Sequence, residues 1–260
     1  MEGLIDILMH AQRVRITITS PRVAAHPDFS IHMYISVMSD WHDRLTVIVT
    51  TSPFPRHPCS SMIEAILRSL QHYGGVAGCR VIIVADGYEA CVGEGQLAKW
   101  KRGKIADDAA ARYELHKQRV RAACAARAPP FQDAELMEQV EHRGFALGVR
   151  RAVAAARTEF VLVVQHDRPL IRAAPLEELV AAMSEQPELT HVALPTGRTQ
   201  PGTYEHLAAS KYAIKLEARC VRSRGLRFVP LLQFYDSTHL SRRDACPPAI
   251  RSSDPRTRQN

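Results

Sequence analysis

Three uninterrupted apolar segments constrain the fold of this chain more than any other feature of its sequence. They are LTVIV at residues 45–49, VIIVA at 81–85 and FVLVV at 160–164, and none of them contains a charged side chain. A strand that is buried on both faces requires such a continuous segment, whereas a half-buried strand alternates apolar with polar residues. The three segments therefore predict strands inside a parallel sheet.

A helical pattern connects the first two segments. Ser61 and Glu64 have the spacing of a capping box, and the apolar residues after them recur at helical intervals until Gly74 and Gly75. A strand–helix–strand unit of this kind has a right-handed crossover and parallel strands. Similar patterns predict further helices at 107–127, 133–141, 143–157 and 176–184 and a strand at 191–194. We therefore predict an α/β fold, with a mostly parallel, Rossmann-like sheet flanked by helices in a single domain.

Composition excludes several classes of protein. The chain has 260 residues, of which 46% are hydrophobic and 23% charged, as in ordinary globular proteins and unlike disordered or collagen-like chains. Its six cysteines form no CxxC pair, which argues against a zinc site or a disulfide framework. No apolar segment approaches the about 20 residues that cross a bilayer, so we expect no transmembrane segment; as written the chain is soluble and cytoplasmic, and its localisation stays open.

Polar residues follow each of the three apolar strands. They are Thr50, Thr51 and Ser52 after the first strand, Asp86 after the second, and His166, Asp167 and Arg168 after the third. Because the carboxyl ends of parallel strands share one edge of the sheet, where ligands bind in such folds, these side chains are expected to converge. A single carboxylate at a strand end can instead cap the following turn, but two in succession favour a binding site.

The order of these motifs resembles that of the GT-A fold of nucleotide-diphospho-sugar glycosyltransferases, in particular the family 2-like group. The resemblance spans residues 45–239, roughly three quarters of the chain, and rests on VIVTTSP, VIIVADG, GFALGVRRAVAAAR and VLVVQHDRPL in that order. It implies a hexosyltransferase-type enzyme that moves a sugar from a nucleotide-diphosphate sugar to a hydroxyl acceptor of unknown identity, by an inverting displacement.

The resemblance also implies a division of the chain and a place for the nucleoside. The GT-A-like nucleotide-sugar-binding domain is expected at residues 44–240, after a partly disordered leader at 1–43 and before a basic, disordered tail at 241–260. Thr50, Thr51, Ser52 and Asp86 are implied to surround the nucleoside. The carboxylate of Asp86 suits this role because it accepts hydrogen bonds from a base or a ribose.

The third strand end is the expected place for the diphosphate. Asp167 is implied to contact a divalent cation, Mn²⁺ or Mg²⁺, and Arg143 and Arg168 are candidates to neutralise phosphate because guanidinium binds oxygens bidentately. A solvated helix residue is the alternative for Arg143. The family motif has a carboxylate at both ends of a triplet, whereas this chain reads Gln165-His166-Asp167. His166 is either a ligand suited to Mn²⁺ or a structural hydrogen-bonding group, so metal dependence stays open.

A second polar cluster occupies residues 235–239. In the family that this chain resembles, the corresponding region contacts the acceptor. Asp236 is therefore expected to act as the general base that takes the proton of the acceptor hydroxyl, and His239 to complete the metal shell. The alternative is the start of a helix, with Asp236 or Ser237 as its N-cap.

Two other functions stay open on the sequence. An inactive or truncated GT-A relative that acts as a basic binding protein is favoured by the incomplete metal motif and by residues 215–260, whose ten basic and four acidic side chains carry +6 of the net +7 charge. A solvated terminus also explains this charge, and no nucleic-acid partner is expected. A sugar-phosphate nucleotidyltransferase is expected to have a glycine-rich, basic loop after the first strand, where residues 52–55 read Ser-Pro-Phe-Pro.

Overall fold

The structure is a computed structural model. It describes residues 41–54, 59–91, 103–197, 199–200, 202–216, 225–226, 228–232 and 237–245. The first 40 residues of the predicted leader, the tail from residue 246 onwards and the predicted base Asp236 lie outside the described residues.

Helices and strands alternate along the described chain. The strands are β1 (Leu45–Thr51), β2 (Arg80–Ala85), β3 (Glu89–Cys91), β4 (Lys104–Ala106), β5 (Ala134–Glu138), β6 (Phe160–Gln165), β7 (His191–Ala193) and β8 (His239–Arg242). The helices are α1 (Ser61–Gly74), α2 (Asp107–Ala126), α3 (Gly144–Ala155), α4 (Leu176–Glu185) and α5 (Thr203–Tyr212). Within these ranges, none of the helices is both long and apolar enough to cross a membrane.

One six-stranded sheet has the order β5-β2-β1-β6-β8-β7. Strands β5, β2, β1 and β6 are parallel, and β8 is antiparallel to its neighbours β6 and β7. The predicted α/β fold with a mostly parallel sheet is confirmed. The chain moves from β1 outwards to β2 and β5 and then returns to form β6 on the other side of β1. In open α/β sheets, such a reversal of strand order opens a crevice beyond the carboxyl ends of the strands.

The burial of β1 explains its continuous apolar sequence. Val47 and Val49 belong to a core cluster with the apolar faces of α1 and α4, whereas Ile48 packs in a second cluster with Val149 of α3. All three strand side chains are fully buried. Because helices cover both faces of the sheet, the alternation of polar and apolar residues that marks a half-exposed strand does not occur here.

Strand β5 corrects a prediction made from the sequence. A helix was predicted over residues 133–141, but Ala134–Glu138 pairs in parallel with β2, and the helix begins only at Gly144. Glu, Leu and Met favour helices by only tenths of a kcal/mol per residue, whereas pairing with β2 satisfies a whole row of backbone groups. Because β5 ends at Glu138, residue 139 lies at the same edge of the sheet as Asp86.

Strand β8 also changes a predicted boundary. Ser241 and Arg242, which the sequence analysis assigned to the basic tail, belong to this strand, and Ser241 is buried. Arg242 Nη2 lies 3.1 Å from Glu159 Oε1, next to the start of β6. The basic charge of Arg242 is therefore part of the folded domain.

Candidate functional site

A cavity of about 260 Å³ lies at the carboxyl edge of the sheet, where the strand order reverses. The ends of β1, β2, β5 and β6 and the first turns of α3 surround it. Its lining residues are Thr50, Thr51, Ser52, Val84, Asp86, Gln139, Gly144, Phe145, Gly148, Gln165, His166 and Asp167. The structure thus brings together the polar ends of the three apolar strands, with Asp86 and Asp167 in one cavity.

The carboxylate of Asp86 is buried and accepts hydrogen bonds from three backbone N–H groups. Oδ1 accepts from Gly87 at 3.0 Å and from Arg143 at 2.9 Å, and Oδ2 accepts from Gly144 at 3.0 Å. His142 Nδ1 also lies 2.8 Å from Oδ2, although without the alignment of a hydrogen bond. Since a carboxylate has about four acceptor positions, protein groups occupy most of those of Asp86.

These contacts make Asp86 the cap of α3, although it precedes Arg143 by 57 residues. The residue at the start of this helix, Arg143, provides no side-chain cap of its own. The first N–H groups of a helix have no partner inside it, and a carboxylate placed there satisfies them and stabilises the positive end of the helix dipole. Asp86 therefore positions the α3 side of the cavity.

The neighbouring strands on both sides hold the end of β1. The backbone N–H of Asp86 donates to Thr51 O at 2.9 Å, and that of His166 donates to Thr50 O at 3.0 Å. The Nδ1 of His166 lies 2.8 Å from Thr51 Oγ1, and its ring meets the edge of Phe54 at 6.1 Å between centroids. His166 thus makes the structural hydrogen bond that was one of its two alternatives.

Asp167 is the exposed carboxylate at the rim of the cavity. Within the part of the chain that the structure describes, it makes no hydrogen bond or ion pair. Arg168 lies beside the rim, where its Nε donates to Gln165 Oε1 at 3.2 Å. Arg143 points into a neighbouring surface groove and pairs with Glu141 at 2.7 Å. Neither guanidinium group lines the cavity.

The described side chains form no preassembled metal-binding cluster. Within the described ranges, no three His, Cys, Asp or Glu side chains are placed to hold a metal. His239 is buried outside the cavity, where its Nδ1 donates to Ser237 O at 2.7 Å and its ring lies 4.6 Å from that of His191. Asp167 is thus left as the available carboxylate among the described cavity residues, and the shared cation predicted for Asp167 and His239 stays a prediction.

The half-buried His191, packed against the buried His239, predicts a dependence of stability on pH. Burial, with His239 as a second cause, lowers the pKa of His191 from 6.5 to about 4. The unfolded chain therefore binds a proton at His191 before the folded one does as the pH falls. We expect the stability that neutral His191 contributes to be complete above pH 6.5 and to be lost as the pH falls from 6.5 towards 4.

Melting temperatures at about pH 7.5 and about pH 5 measure this effect. His191→Asn is expected to reduce the loss at the lower pH, because an amide can replace the contact of Nδ1 with Ser241 Oγ at 2.8 Å but does not titrate. His206→Asn, at an exposed position of α5, is the matched control and is expected to melt like the wild type. Equal losses in the wild type and His191→Asn contradict this assignment.

Gln139 is a cavity residue that the sequence analysis missed. It directly follows β5, as Asp86 directly follows β2, and the prediction of a helix over this segment concealed the equivalence. Its side chain is only 5% exposed, and its Nε2 has no hydrogen-bond partner among the described residues. Its position after the segment AELME was the available signal, because that segment can form a strand as well as a helix.

Comparisons with known proteins give matches to solved structures alone. No protein-family model and no curated protein matches the sequence. The structure is similar to the mannosyltransferase of Pyrobaculum calidifontis in complex with GDP-Man and Mn²⁺, with a TM-score of 0.42 and 15% identity over 77% of this chain and 45% of the other.

Two further solved structures are similar to this chain. Glucosyl-3-phosphoglycerate synthase from Mycobacterium tuberculosis, in complex with Mn²⁺, UDP and glucosyl-3-phosphoglycerate, has a TM-score of 0.40 and 16% identity over 78% of this chain and 57% of the other. CMP:2-keto-3-deoxy-manno-octonic acid synthetase complexed with CTP has a TM-score of 0.41 and 12% identity over 82% of this chain and 81% of the other. This chain spans about half the length of the mannosyltransferase and the glucosyl synthase. The solved structures to which this chain is similar include a mannosyltransferase and a glucosyl-3-phosphoglycerate synthase, each with a TM-score below 0.5.

Proposed function

We propose that this protein is a glycosyltransferase that transfers a sugar from a nucleotide-diphosphate sugar to a hydroxyl acceptor. One observation carries the proposal: Thr50, Thr51, Ser52, Asp86 and Asp167 line a single cavity at the reversal of strand order. In open α/β sheets this is the position at which nucleotides bind. The hydroxyl groups and carboxylates suit a ligand that presents ribose hydroxyls and a polar base.

The size of the cavity indicates which part of the donor it holds. Its volume of about 260 Å³ is below the roughly 300–1,000 Å³ of sites that enclose a whole ligand. We therefore place the nucleoside in the cavity, with the diphosphate and the sugar over its rim. Asp167 and Arg168 are both exposed at that rim, where Arg168 can neutralise phosphate after a change of rotamer.

The transfer itself is a displacement at the anomeric carbon of the donor. An acceptor hydroxyl oxygen forms the new bond to this carbon while a general base takes the hydroxyl proton. The bond from the anomeric carbon to the diphosphate oxygen breaks, and its electron pair leaves with the nucleoside diphosphate. A single displacement inverts the anomeric configuration. Asp236 is the proposed base, from the sequence, and lies outside the described residues.

Titration calorimetry with UDP, GDP, CDP and ADP tests the first step of this proposal. We expect the wild-type protein to bind at least one of them with a dissociation constant in the micromolar range, about −8 kcal/mol. If the wild-type protein binds none of the four nucleotides, the proposal is overturned. The same titrations with Mn²⁺ test the predicted cation: tighter binding in its presence supports a metal-bridged diphosphate, and unchanged binding argues against it.

Product analysis separates the proposal from its alternatives. A glycosyltransferase releases a nucleoside diphosphate from a nucleotide sugar, whereas a nucleotidyltransferase releases pyrophosphate from a nucleoside triphosphate and a sugar phosphate. A basic binding protein releases neither, and its binding weakens steeply between about 50 and 200 mM salt. For that alternative the informative deletion is residues 246–260, since β8 includes Arg242.

A further inference from the structure

The side chain of Gln139 combines burial, an unpaired polar group and a place in the cavity. It is 5% exposed, and its Nε2 has no hydrogen-bond partner among the residues that the structure describes. Its backbone N–H donates to Ala85 O at 2.9 Å, which fixes the residue beside Asp86. Because an unpaired buried N–H costs stability, a group kept in this state at a binding cavity is expected to find its partner in the ligand.

Gly148 provides the space that this carboxamide occupies. A Cβ at position 148 would lie 2.8 Å from Gln139 Nε2 and 3.4 Å from Val84 Cγ1. Glycine lowers the stability of a helix interior relative to alanine, and Gly148 lies inside α3. The close approach of the Gln139 side chain gives a physical reason for glycine at this position.

Asp86 has little capacity left to recognise the same part of a ligand. Its oxygens already accept from the N–H groups of Gly87, Arg143 and Gly144 and lie against His142. A ligand that took over one of these oxygens would leave a buried backbone N–H of the α3 start unpaired. Recognition by Gln139 carries no such cost, because its Nε2 is not engaged by a described residue.

We propose that Gln139, and not Asp86, recognises the base of the bound nucleotide, with Nε2 donating a hydrogen bond to a carbonyl oxygen of the base. This inference rests on the proposed function, since it requires a nucleotide in the cavity. Uracil, cytosine and guanine carry a carbonyl oxygen, whereas adenine carries only ring nitrogens and an amino group. A hydrogen bond from Nε2 to a carbonyl oxygen is therefore available with UDP, GDP and CDP and not with ADP.

Titration of Gln139→Leu with UDP, GDP, CDP and ADP tests this role. Of the nucleotides whose base has a carbonyl group, we expect those that bind to the wild type to bind to the variant about tenfold more weakly. ADP is expected to have the same affinity for the variant as for the wild type. Leucine is similar in size and removes the buried, unpaired amide. The ligand-free variant is therefore expected to melt at the same or a higher temperature, so that weaker binding cannot be attributed to unfolding.

Gln132→Leu is the matched control. Gln132 precedes β5 as Gln139 follows it, and its buried Oε1 also has no hydrogen-bond partner among the described residues. It lies at the opposite end of the strand from the cavity and does not line it. We expect the same substitution at this position to leave all four affinities unchanged.

Gly148→Ala is a second test that leaves Gln139 in place. The added Cβ displaces the flexible end of the Gln139 side chain and no backbone atom, so the helix is expected to form normally while affinity for the carbonyl-bearing nucleotides falls. If Gln139→Leu lowers the affinity for all four nucleotides equally, or for none of them, the role of Gln139 in base recognition is overturned while the proposed function stands. If the wild type binds none of them, the proposed function itself fails.

Discussion

Replacement of Asp86 by alanine is expected to lower the free energy of unfolding by about 4 kcal/mol and to abolish nucleotide binding. The substitution removes the acceptor of three backbone N–H groups, those of Gly87, Arg143 and Gly144. Each donor left unpaired in a buried place costs about 1–3 kcal/mol, and water that enters the space recovers part of this cost. Because the start of α3 loses its cap, the wall of the cavity is displaced as well.

Chemical denaturation of Asp86→Ala measures the loss of stability, and calorimetry measures the loss of binding. Asp167→Ala is the matched control for stability, because its carboxylate lines the same cavity but is exposed and contacts no described side chain or backbone donor. It is expected to unfold within about 0.5 kcal/mol of the wild type. If Asp86→Ala and the wild type have the same free energy of unfolding, Asp86 does not act as the cap of α3.

Gly87→Ala is expected to destabilise the fold by about 3 kcal/mol. A Cβ at position 87 would lie 2.3 Å from the carbonyl carbon of Glu141, 2.4 Å from its oxygen and 2.7 Å from its nitrogen. These are backbone atoms of the loop between β5 and α3, which is bound to Asp86 through Arg143 and Gly144. The loop therefore cannot move away without breaking the cap of the helix.

Thermal and chemical unfolding of Gly87→Ala is compared with that of Gly197→Ala. A Cβ at position 197 meets no atom of the described residues within 4 Å, so this substitution is expected to be neutral. Nucleotide affinity of Gly87→Ala is expected to fall together with stability, because the displaced loop carries both Gln139 and the start of α3. If the two variants unfold at the same denaturant concentration, the loop between β5 and α3 does not approach Gly87 as closely as described.

The central strands could be predicted from sequence because their burial is a local property of the chain. The segments at 45–49, 81–85 and 160–164 are apolar throughout, and a strand covered by helices on both faces needs no further information to be recognised. Strand β5 could not be predicted in this way. Its residues favour a helix by themselves, and the free edge of β2 decides their conformation.

The same distinction applies to the site. Polar residues directly after buried strands could be located in the sequence, and Asp86 and Asp167 do share the cavity that this order indicated. The hydrogen bonds of Asp86 could not be predicted, because two of its three N–H donors, those of Arg143 and Gly144, lie 57 and 58 residues further along the chain. Gln139 was concealed with its strand, and neither Arg143 nor Arg168 lines the cavity.

Local patterns in the chain are sufficient to predict the class of fold, the parallel centre of the sheet and the edge at which its polar residues gather, since each depends on the periodicity of neighbouring residues. Tertiary structure decided which of those residues are free to meet a ligand. Asp86 is engaged by the start of α3, whereas Gln139 keeps an unpaired amide in the cavity. The physical reason is that hydrogen-bonding capacity is shared among groups that approach only after folding, and no local pattern records how it is divided.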